Sequence, residues 1–389
     1  MAAQTAWSEA YAIATTTPKP LPSTPVAVEA AAGRVLAAPI EALRPVPAFD
    51  TAAMDGYAVA GDGPWTVTGQ LLAGAVHSPP LRPGTAVEIA TGAVVPEGTA
   101  AVLPYEDSLR NGDSVTAHPS AGRRVHIRRA GDDVRPGDVL VAAGRTVNAT
   151  IAAAAVQAGA EQVAAHRRPT VTLLVTGNEV IDSGVPGPGQ VRDSFTGLVS
   201  AVAVRAGADP VVRRHVRDVA ALLESGLTAA RTDVVVVSGS SSAGAADHLH
   251  GVLGRMGATW HVRGVACRPG HPQALAELPD GRWVVSLPGN PFAGLVAALT
   301  LLEPVLTALG GRPPLPLPEV PVHGSAKLMP TGVRIVPVHR DDRCRRRGGW
   351  RIVAETSSAG LQAAARADAL AVLPESWADG DPAPILAVP

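Results

Sequence analysis

Two short apolar runs constrain the fold of this chain more than any other feature. Val171–Val175 is almost continuously apolar, and Val234–Val237 is four consecutive valines. Strands that are apolar on both sides are typical of parallel sheets, because helices cover both faces of such a sheet. Helical patterns alternate with these runs and with a third strand candidate, Trp283–Ser286. The alternation predicts a doubly wound, mostly parallel α/β domain over residues 166–312.

The segments on either side of this domain have a different pattern. Residues 1–165 carry dense turn signals between short strand candidates, which predicts a β-rich N-terminal region, in two subdomains. Within it, Thr24-Pro25 has the form of an N-cap followed by proline, and it predicts a helix that Gly33 closes. After a proline-rich linker, residues 313–389 return to short strands and predict a small β-barrel-like C-terminal domain.

Composition excludes several classes of function. Lys and Arg total 33 against 34 Asp and Glu, and aromatic residues make up only 3%, so the chain lacks the charge and stacking surface of a nucleic-acid-binding protein. Its two cysteines, Cys267 and Cys344, do not form a disulfide framework or a zinc motif. The longest largely apolar run, Phe292–Leu302, is short for a membrane span, and the N-terminus lacks a signal-peptide pattern. We therefore expect a cytoplasmic protein with no nucleic-acid or membrane partner.

Unusual loops follow three of the predicted strands. Ligands of open parallel sheets bind beyond the carboxyl ends of the strands. Glycines in such loops let the backbone approach a ligand, and hydroxyl and backbone N–H groups donate hydrogen bonds to anions. Together the loops predict one site for an anionic, phosphorylated small molecule. Taken singly, each loop is equally consistent with an ordinary turn and helix N-cap. The three loops are Thr176-Gly177-Asn178-Glu179, Ser238–Gly244 with Asp247 just beyond it, and Leu287-Pro288-Gly289-Asn290-Pro291.

Other assignments for these loops have less support. The serine loop is not a P-loop, because no Gly-Lys-Ser/Thr follows it, and it lacks the spacing of a GxSxG nucleophile elbow. A serine hydrolase that uses Ser242 with Asp247 or His248 is therefore a minor alternative. His248 and His250 are two residues apart at a helix start, so they point to different faces and do not indicate a metal site.

At these residues the sequence resembles the MoeA/gephyrin E-domain family, the molybdopterin molybdenumtransferases. The resemblance spans nearly the whole chain and keeps the family's motifs in order. In order, these motifs are Met54-Asp55-Gly56-Tyr57, Ala90-Thr91-Gly92-Ala93, Gly131-Asp132-Asp133, Thr176-Gly177-Asn178-Glu179, Arg192-Asp193-Ser194, Ser238-Gly239, Arg268-Pro269-Gly270, Leu287–Pro291 and Ala367–Leu370.

The resemblance implies that molybdate is inserted into adenylylated molybdopterin, with release of AMP and with Mg²⁺ or another divalent cation assisting. It implies catalytic roles for Asp247, Glu179, Asp133 and Asp55, of which Glu179 and Asp247 would hold the metal. It also implies a homodimer, and an upstream molybdopterin adenylyltransferase is a candidate partner. The residues expected to bind substrate are Thr91, Gly92, Thr176, Gly177, Asn178, Ser194, Ser238, Gly239, Ser242, Arg268, Pro269, Gly270, Pro288, Gly289, Asn290 and Pro291.

Several positions depart from the family pattern, and most of them cluster at the ligand edge. Ser240 replaces a glycine, Ala245 replaces an acidic residue, Phe195 stands where Asn usually follows the Asp-Ser pair, and Arg268 replaces a lysine. Two hypotheses follow. The chain is either a molybdate-inserting transferase or a divergent, non-catalytic protein that binds or carries molybdopterin or the molybdenum cofactor.

Overall fold

The structure of the protein is a computed structural model that describes residues 4–76, 79–239, 248–340, 349–353 and 357–389. Strands and helices are numbered in chain order. The N-terminal region contains α1 (Trp7–Thr16), β1 (Ser23–Ala27), β2 (Ile40–Glu41), β3 (Thr51–Ala52), β4 (Gly56–Val59), β5 (Trp65–Leu71), β6 (Thr85–Ile89), β7 (Ala101–Pro104), β8 (Ser108–Asn111), β9 (Ser114–Ala117), β10 (Ile127–Arg128), β11 (Val139–Val141), α2 (Ala149–Gln157) and β12 (Gln162–His166).

The central region alternates strands and helices as the sequence predicts. It contains β13 (Val171–Thr176), β14 (Val180–Ile181), β15 (Val191–Arg192), α3 (Phe195–Arg205), β16 (Val212–Val216), α4 (Ala220–Ala229), β17 (Val234–Ser238), α5 (Leu249–Arg255), β18 (Thr259–Arg263), β19 (Cys267–Arg268), β20 (Ala274–Glu277), β21 (Trp283–Leu287), α6 (Pro291–Ala297) and α7 (Glu303–Leu309). The C-terminal region contains β22 (Glu319–His323), β23 (Val333–Arg340), β24 (Trp350–Ile352), β25 (Ala369–Pro374) and β26 (Pro382–Ala387).

The central sheet has six strands in the order β16-β13-β17-β21-β20-β18. Strands β16, β13, β17 and β21 are parallel, while β20 and β18 complete one side in antiparallel orientation. One face packs against α1, α3, α6 and α7, and the other packs against α4 and α5. Every residue of β13, β17 and β21 is buried. The prediction of a doubly wound, mostly parallel domain is confirmed.

Helices α6 and α7 form one continuous helix through a π turn at Ala298–Leu302. By length and composition this helix, Pro291–Leu309, could cross a membrane, but 89% of its most apolar window is buried inside the protein. Its apolar residues pack against the central sheet and against α1, where the Trp7 indole N–H donates to the Thr300 hydroxyl at 3.1 Å. The helix therefore serves as a core element, and α1 packs on the central domain although it begins the N-terminal region.

The N-terminal region is β-rich, as predicted, but one expected helix is absent from it. Thr24 and Pro25 lie in β1, which pairs antiparallel with β12 from Ser23 to Ala27. This strand accommodates a proline because only one side of it is paired. In place of the expected helix, a single 3₁₀ turn, Val28–Ala30, lies between β1 and Gly33. Most of the remaining strands form a six-stranded sheet in the order β7-β4-β6-β5-β9-β8, with its own apolar core.

The C-terminal strands close into a small barrel. The pairing runs β23-β24-β22-β26-β25 and returns to β23, which pairs with β25 over Val333–Val338. Strand β19 of the central region joins β23 in parallel, so that Cys267 pairs with Val333 and Arg268 with Arg334. The barrel-like C-terminal domain is therefore confirmed, and this pairing connects the Arg268-Pro269-Gly270 motif to it.

Candidate functional site

The three strand-end loops line one cleft of about 660 Å³ at the carboxyl edge of the central sheet. Described residues of all three loops therefore lie together, and their role in binding a phosphorylated ligand stays a prediction. From the predicted set, the lining includes Thr176, Glu179, Ser194, Ser238, Gly239, Pro288, Gly289, Asn290 and Pro291. It also includes Val175, Val180, Val191, Arg192, Asp193, Phe195, Pro272 and Ala359.

Glycine backbones bring the three loops into direct contact. Gly239 adopts φ +97°, and a Cβ there would lie 2.8 Å from the Thr176 hydroxyl oxygen. A Cβ on Gly289 would lie 3.3 Å from the Gly239 Cα. The Thr176 hydroxyl donates to the Ser238 carbonyl at 2.6 Å. Only glycine tolerates both the positive φ at residue 239 and this separation, so the close approach of the loops depends on it.

The loop after β13 is held by the neighbouring edge strand. The His215 Nε2 atom lies 2.8 Å from the Gly177 carbonyl oxygen. Asn178 and Asp218 exchange two longer hydrogen bonds, of 3.3 and 3.4 Å, between the backbone N–H of one and the side-chain oxygen of the other. Our sequence analysis did not identify Asp218. The one signal that could have identified it is its position just after β16, at the same edge of the sheet as the other loops.

Asp193 caps helix α3 and fixes the backbone beside the cleft. Its carboxylate accepts hydrogen bonds from the N–H groups of Phe195 and Thr196 and from the Thr196 hydroxyl, and Arg213 donates to it at 3.1 Å. Burial raises the pKa of this carboxyl, but the hydrogen bonds from Thr196, Phe195 and Arg213 outweigh it and hold the pKa below the ordinary value. Ser194 is presented to the cleft by this cap.

Within the part of the chain that the structure describes, Glu179 and Arg192 are the charged lining residues without a partner. Both side chains are exposed, and within the described ranges neither forms an ion pair or a side-chain hydrogen bond. The Glu179 carboxylate lies over the backbone of Gly177, since a Cβ on that glycine would be 2.7 Å from both carboxylate oxygens. Arg192, which the sequence analysis placed in a family motif but not among the substrate-binding residues, adds a guanidinium that has no partner within the described ranges. Among the described lining residues, Glu179 and Arg192 are therefore the charged groups left available to a ligand.

The acidic residues predicted in the N-terminal region are placed elsewhere on this chain. The Asp55 carboxylate accepts from the Thr91 backbone N–H at 2.7 Å and from the Thr91 hydroxyl at 2.9 Å, and these bonds hold the pKa of Asp55 below its ordinary value. Gly92 follows in the same turn with φ +81°, and Asp133 lies exposed on another loop. None of these four residues lines the cleft formed by the described part of the same chain.

The Arg268-Pro269-Gly270 segment lies next to the cleft without lining it. Arg268 is exposed, whereas Gly270 is buried against helix α6, with its potential Cβ position 3.2 Å from Val296. Pro272, two residues further on, reaches the cleft wall. The C-terminal domain contributes from the other side, because the Asn290 amide donates to the Ser358 hydroxyl at 3.0 Å and Ala359 lines the cleft.

Two predicted site residues, Ser242 and Asp247, lie outside the described residues, as do Ser240 and Ala245. Within the described ranges, no three His, Cys, Asp or Glu side chains are grouped closely enough to hold a metal ion. Glu179 is thus the described member of the predicted metal pair. An exposed carboxylate without a cationic partner is the kind of ligand that Mg²⁺ takes, alongside substrate phosphates and water.

Comparison with known sequence families gives two matches along the chain. Residues 5–159 match the family model described as "MoeA N-terminal region (domain I and II)". Residues 172–308 match the one described as "Probable molybdopterin binding domain". The two matches cover the N-terminal region and the central domain that carries the cleft.

Curated relatives and solved structures agree with these matches. The chain is 33% identical over 299 residues to the molybdopterin molybdenumtransferase of Nostoc sp., which covers 72% of this chain and 68% of the relative. It is also 33% identical to molybdopterin molybdenumtransferase 1 of Mycobacterium tuberculosis, over 75% of each chain. The crystal structure of a molybdopterin biosynthesis MoeA protein from Pyrococcus horikoshii has a TM-score of 0.81, with 24% identity and full coverage of both chains. At that identity the structural likeness concerns the fold.

Proposed function

The chain belongs to the molybdopterin molybdenumtransferase family, and on that premise we propose that it inserts molybdate into adenylylated molybdopterin, releases AMP and yields the molybdenum cofactor. One observation carries the proposal. Three strand-end loops, remote along the chain, line one cleft, and its Glu179 carboxylate and Arg192 guanidinium have no partner among the described residues. This is the chemistry that an anionic, nucleotide-linked substrate requires.

In this proposal the glycine-rich backbone and Arg192 bind the substrate's phosphates. Gly239 and Gly289 leave the backbone uncovered at the cleft, and the Arg192 guanidinium supplies charge-assisted hydrogen bonds to phosphate oxygens. Ser194 and Ser238 add polar groups along the wall. Asp218 and His215 act indirectly, by holding the loop that carries Glu179.

Glu179 and Asp247 are the proposed ligands of a divalent cation, Mg²⁺ by preference. When bound, such an ion neutralises charge that develops on the phosphate oxygens as AMP leaves. The Glu179 carboxylate suits this role because it is exposed in the cleft and, among the described residues, has no cationic partner. Hard carboxylate oxygens, one or two per ion, are the ligands that Mg²⁺ usually takes from a protein.

We also propose that a second copy of the chain completes the site. Asp55, Thr91, Gly92 and Asp133 are site residues by family resemblance, yet they do not line the cleft of their own chain. A two-fold homodimer would let the N-terminal region of each subunit face the partner's cleft. We further propose that the enzyme acts in the cytoplasm and takes its substrate from a molybdopterin adenylyltransferase.

The second candidate function is a non-catalytic protein that binds or carries molybdopterin or the molybdenum cofactor. Phe195 favours it, because an apolar ring stands in the cleft where the family usually has an amide, and Ser240 and Ala245 depart from the family in the neighbouring loop. Such a protein would hold the adenylylated substrate in the same cleft and leave it intact.

Complementation separates the two candidates. We expect the wild-type chain, expressed in a bacterial strain that lacks its own molybdenum-inserting enzyme, to restore nitrate reductase activity. A Glu179→Gln chain, expressed to the same level, serves as the matched control and should not restore it. A wild-type chain that binds adenylylated molybdopterin in vitro but leaves nitrate reductase inactive would support the carrier instead.

A further inference from the structure

Phe195, which lines the cleft, packs directly against Gly294 in helix α6. A Cβ built on Gly294 would lie 2.2 Å from Cε1 and 2.7 Å from Cζ of the Phe195 ring. Real Cβ atoms do not approach other atoms this closely, so the ring occupies the space that any other residue at position 294 would fill. The Phe195 side chain is buried, with 8% of the residue exposed, and it contributes to the cleft wall.

The backbone of Gly294 does not itself require glycine. The residue lies inside helix α6 with no positive φ, and its N–H donates to the Asn290 carbonyl at 2.8 Å. Glycine inside a helix is unfavourable because of the conformational freedom it loses on folding. The Phe195 ring is the nearest obstacle to a side chain at position 294, and the Pro288 carbonyl oxygen, 3.1 Å from the same Cβ position, is the next. Phe195 and Gly294 therefore form a size-matched pair.

The pair joins two segments of the cleft wall. Phe195 is the first residue of α3, and its backbone is fixed by the Asp193 cap through a 2.9 Å hydrogen bond. Gly294 lies one turn beyond the Pro288–Pro291 segment at the start of α6, and its potential Cβ position is also 3.1 Å from the Pro288 carbonyl oxygen. The ring thus lies between the cap that presents Ser194 and the turn that presents Asn290.

We propose that Phe195 and Gly294 are a positioning pair that sets the separation of these two segments, and thereby the width of the cleft that receives the nucleotide-linked pterin. This inference rests on the proposed function. It gives a role to Phe195, which stands where the family usually has an asparagine: the ring is accommodated because position 294 has no side chain. In this proposal both residues act through the positions of Ser194 and the 288–291 turn, and neither supplies a reacting group.

The experiment compares four full-length chains: wild type, Gly294→Ala, Phe195→Leu, and the double variant. Binding of adenylylated molybdopterin is measured by equilibrium dialysis, and KM and kcat by molybdate-dependent AMP release. We expect Gly294→Ala to displace the ring and raise Kd and KM by about tenfold or more, with a smaller change in kcat. Leucine lacks the Cε and Cζ atoms that conflict with the new methyl group, so the double variant should recover most of the affinity.

Gly197→Ala is the matched control. Gly197 lies in helix α3 with Phe195, but nothing lies within 4 Å of its potential Cβ position, so we expect unchanged Kd and KM. A melting curve for each variant separates unfolding from misplacement. Equal KM and Kd in Gly294→Ala and wild type would overturn the pairing, as would a loss that Phe195→Leu does not relieve. A wild-type chain that neither binds nor turns over the substrate would instead overturn the proposed function, and this inference with it.

Discussion

The two edges of the central sheet use their charged residues differently. At the amino edge, where strands begin, the Asp233 carboxylate accepts two bonds from Arg167, at 2.6 and 2.5 Å, and two from Thr170, at 2.9 and 2.7 Å. Arg282, just before β21, donates to Asp280 and to the carbonyl groups of Leu227 and Ala230. Asp233 and Arg282 are thus fully engaged in hydrogen bonds within the protein.

The carboxyl edge has the opposite arrangement. Its loops are held mainly by backbone contacts and a capped helix, while Glu179 and Arg192 remain without partners among the residues that the structure describes. The same sheet therefore stabilises the fold through the charges at one edge and leaves charges available to a ligand at the other. Substitutions at the two edges should therefore separate activity from stability.

The largest effect is expected from Glu179→Gln at the carboxyl edge. Loss of the only unpaired carboxylate among the described lining residues should lower the rate of AMP release by about a hundredfold or more. The melting temperature should stay at the wild-type value, because Glu179 makes no side-chain hydrogen bond or ion pair within the described ranges. Glu161→Gln, at an exposed site of the N-terminal region, is the matched control for loss of one charge. A variant with normal turnover would remove Glu179 from the mechanism.

Partial recovery of activity is expected when two inactive variants of the chain are combined in one dimer. Asp55→Ala should abolish most activity, since it removes the carboxylate held by Thr91. If Asp55 acts in the partner's cleft, dimers re-formed from equal amounts of Asp55→Ala and Glu179→Gln chains should recover about a quarter of wild-type activity, because half are mixed and each mixed dimer has one intact site. No recovery in verified mixed dimers would place Asp55 and Glu179 in the same site of one chain.

At the amino edge, Asp233→Asn should lower stability and spare activity. We expect a loss of about 1–2 kcal/mol in the free energy of unfolding at pH 7, since an asparagine keeps some hydrogen bonds but loses the charge that faces Arg167. Burial raises the pKa of Asp233, but its bonds to Arg167 and Thr170 prevail and lower it. A lowered folded-state pKa stabilises the protein above the unfolded value of about 3.9, and the contribution disappears as the pH falls through the folded value.

Urea unfolding at pH 7 and at pH 3 tests whether the contribution of Asp233 to stability falls on acidification. The difference in free energy of unfolding between wild type and Asp233→Asn should be larger at pH 7 and shrink at pH 3. A difference that grows on acidification would contradict the assignment. KM for the substrate should not change, because Asp233 lies at the edge of the sheet away from the cleft.

The sequence predicted the carboxyl edge well, for a definite physical reason. Buried parallel strands appear in a sequence as apolar runs, and the loops that follow them meet at one edge of the sheet. Thr176, Ser238 and Pro288 could therefore be placed together from the sequence alone. Local rules were less secure. Thr24-Pro25 satisfies the pattern of a helix start, yet pairing with β12 makes it a strand, which shows a tertiary contact overriding a local signal.

Other features depend on contacts between segments that no local pattern encodes. Asp218 becomes relevant only because β16 lies beside β13, which brings it to Asn178. The match between Phe195 and Gly294 spans 99 positions and requires the packing of α3 on α6. Closure of the C-terminal barrel likewise depends on β23 pairing with both β24 and β25.

A single-turnover assay with purified protein, adenylylated molybdopterin and Mg²⁺ tests whether the cleft inserts molybdate, when AMP is quantified before and after molybdate is added. If the cleft is the molybdate-inserting site, wild-type protein should release close to one AMP per bound substrate when molybdate is present, and Glu179→Gln should release far less. Bound substrate that stays adenylylated in the wild-type protein, with molybdate and Mg²⁺ both present, would contradict the account.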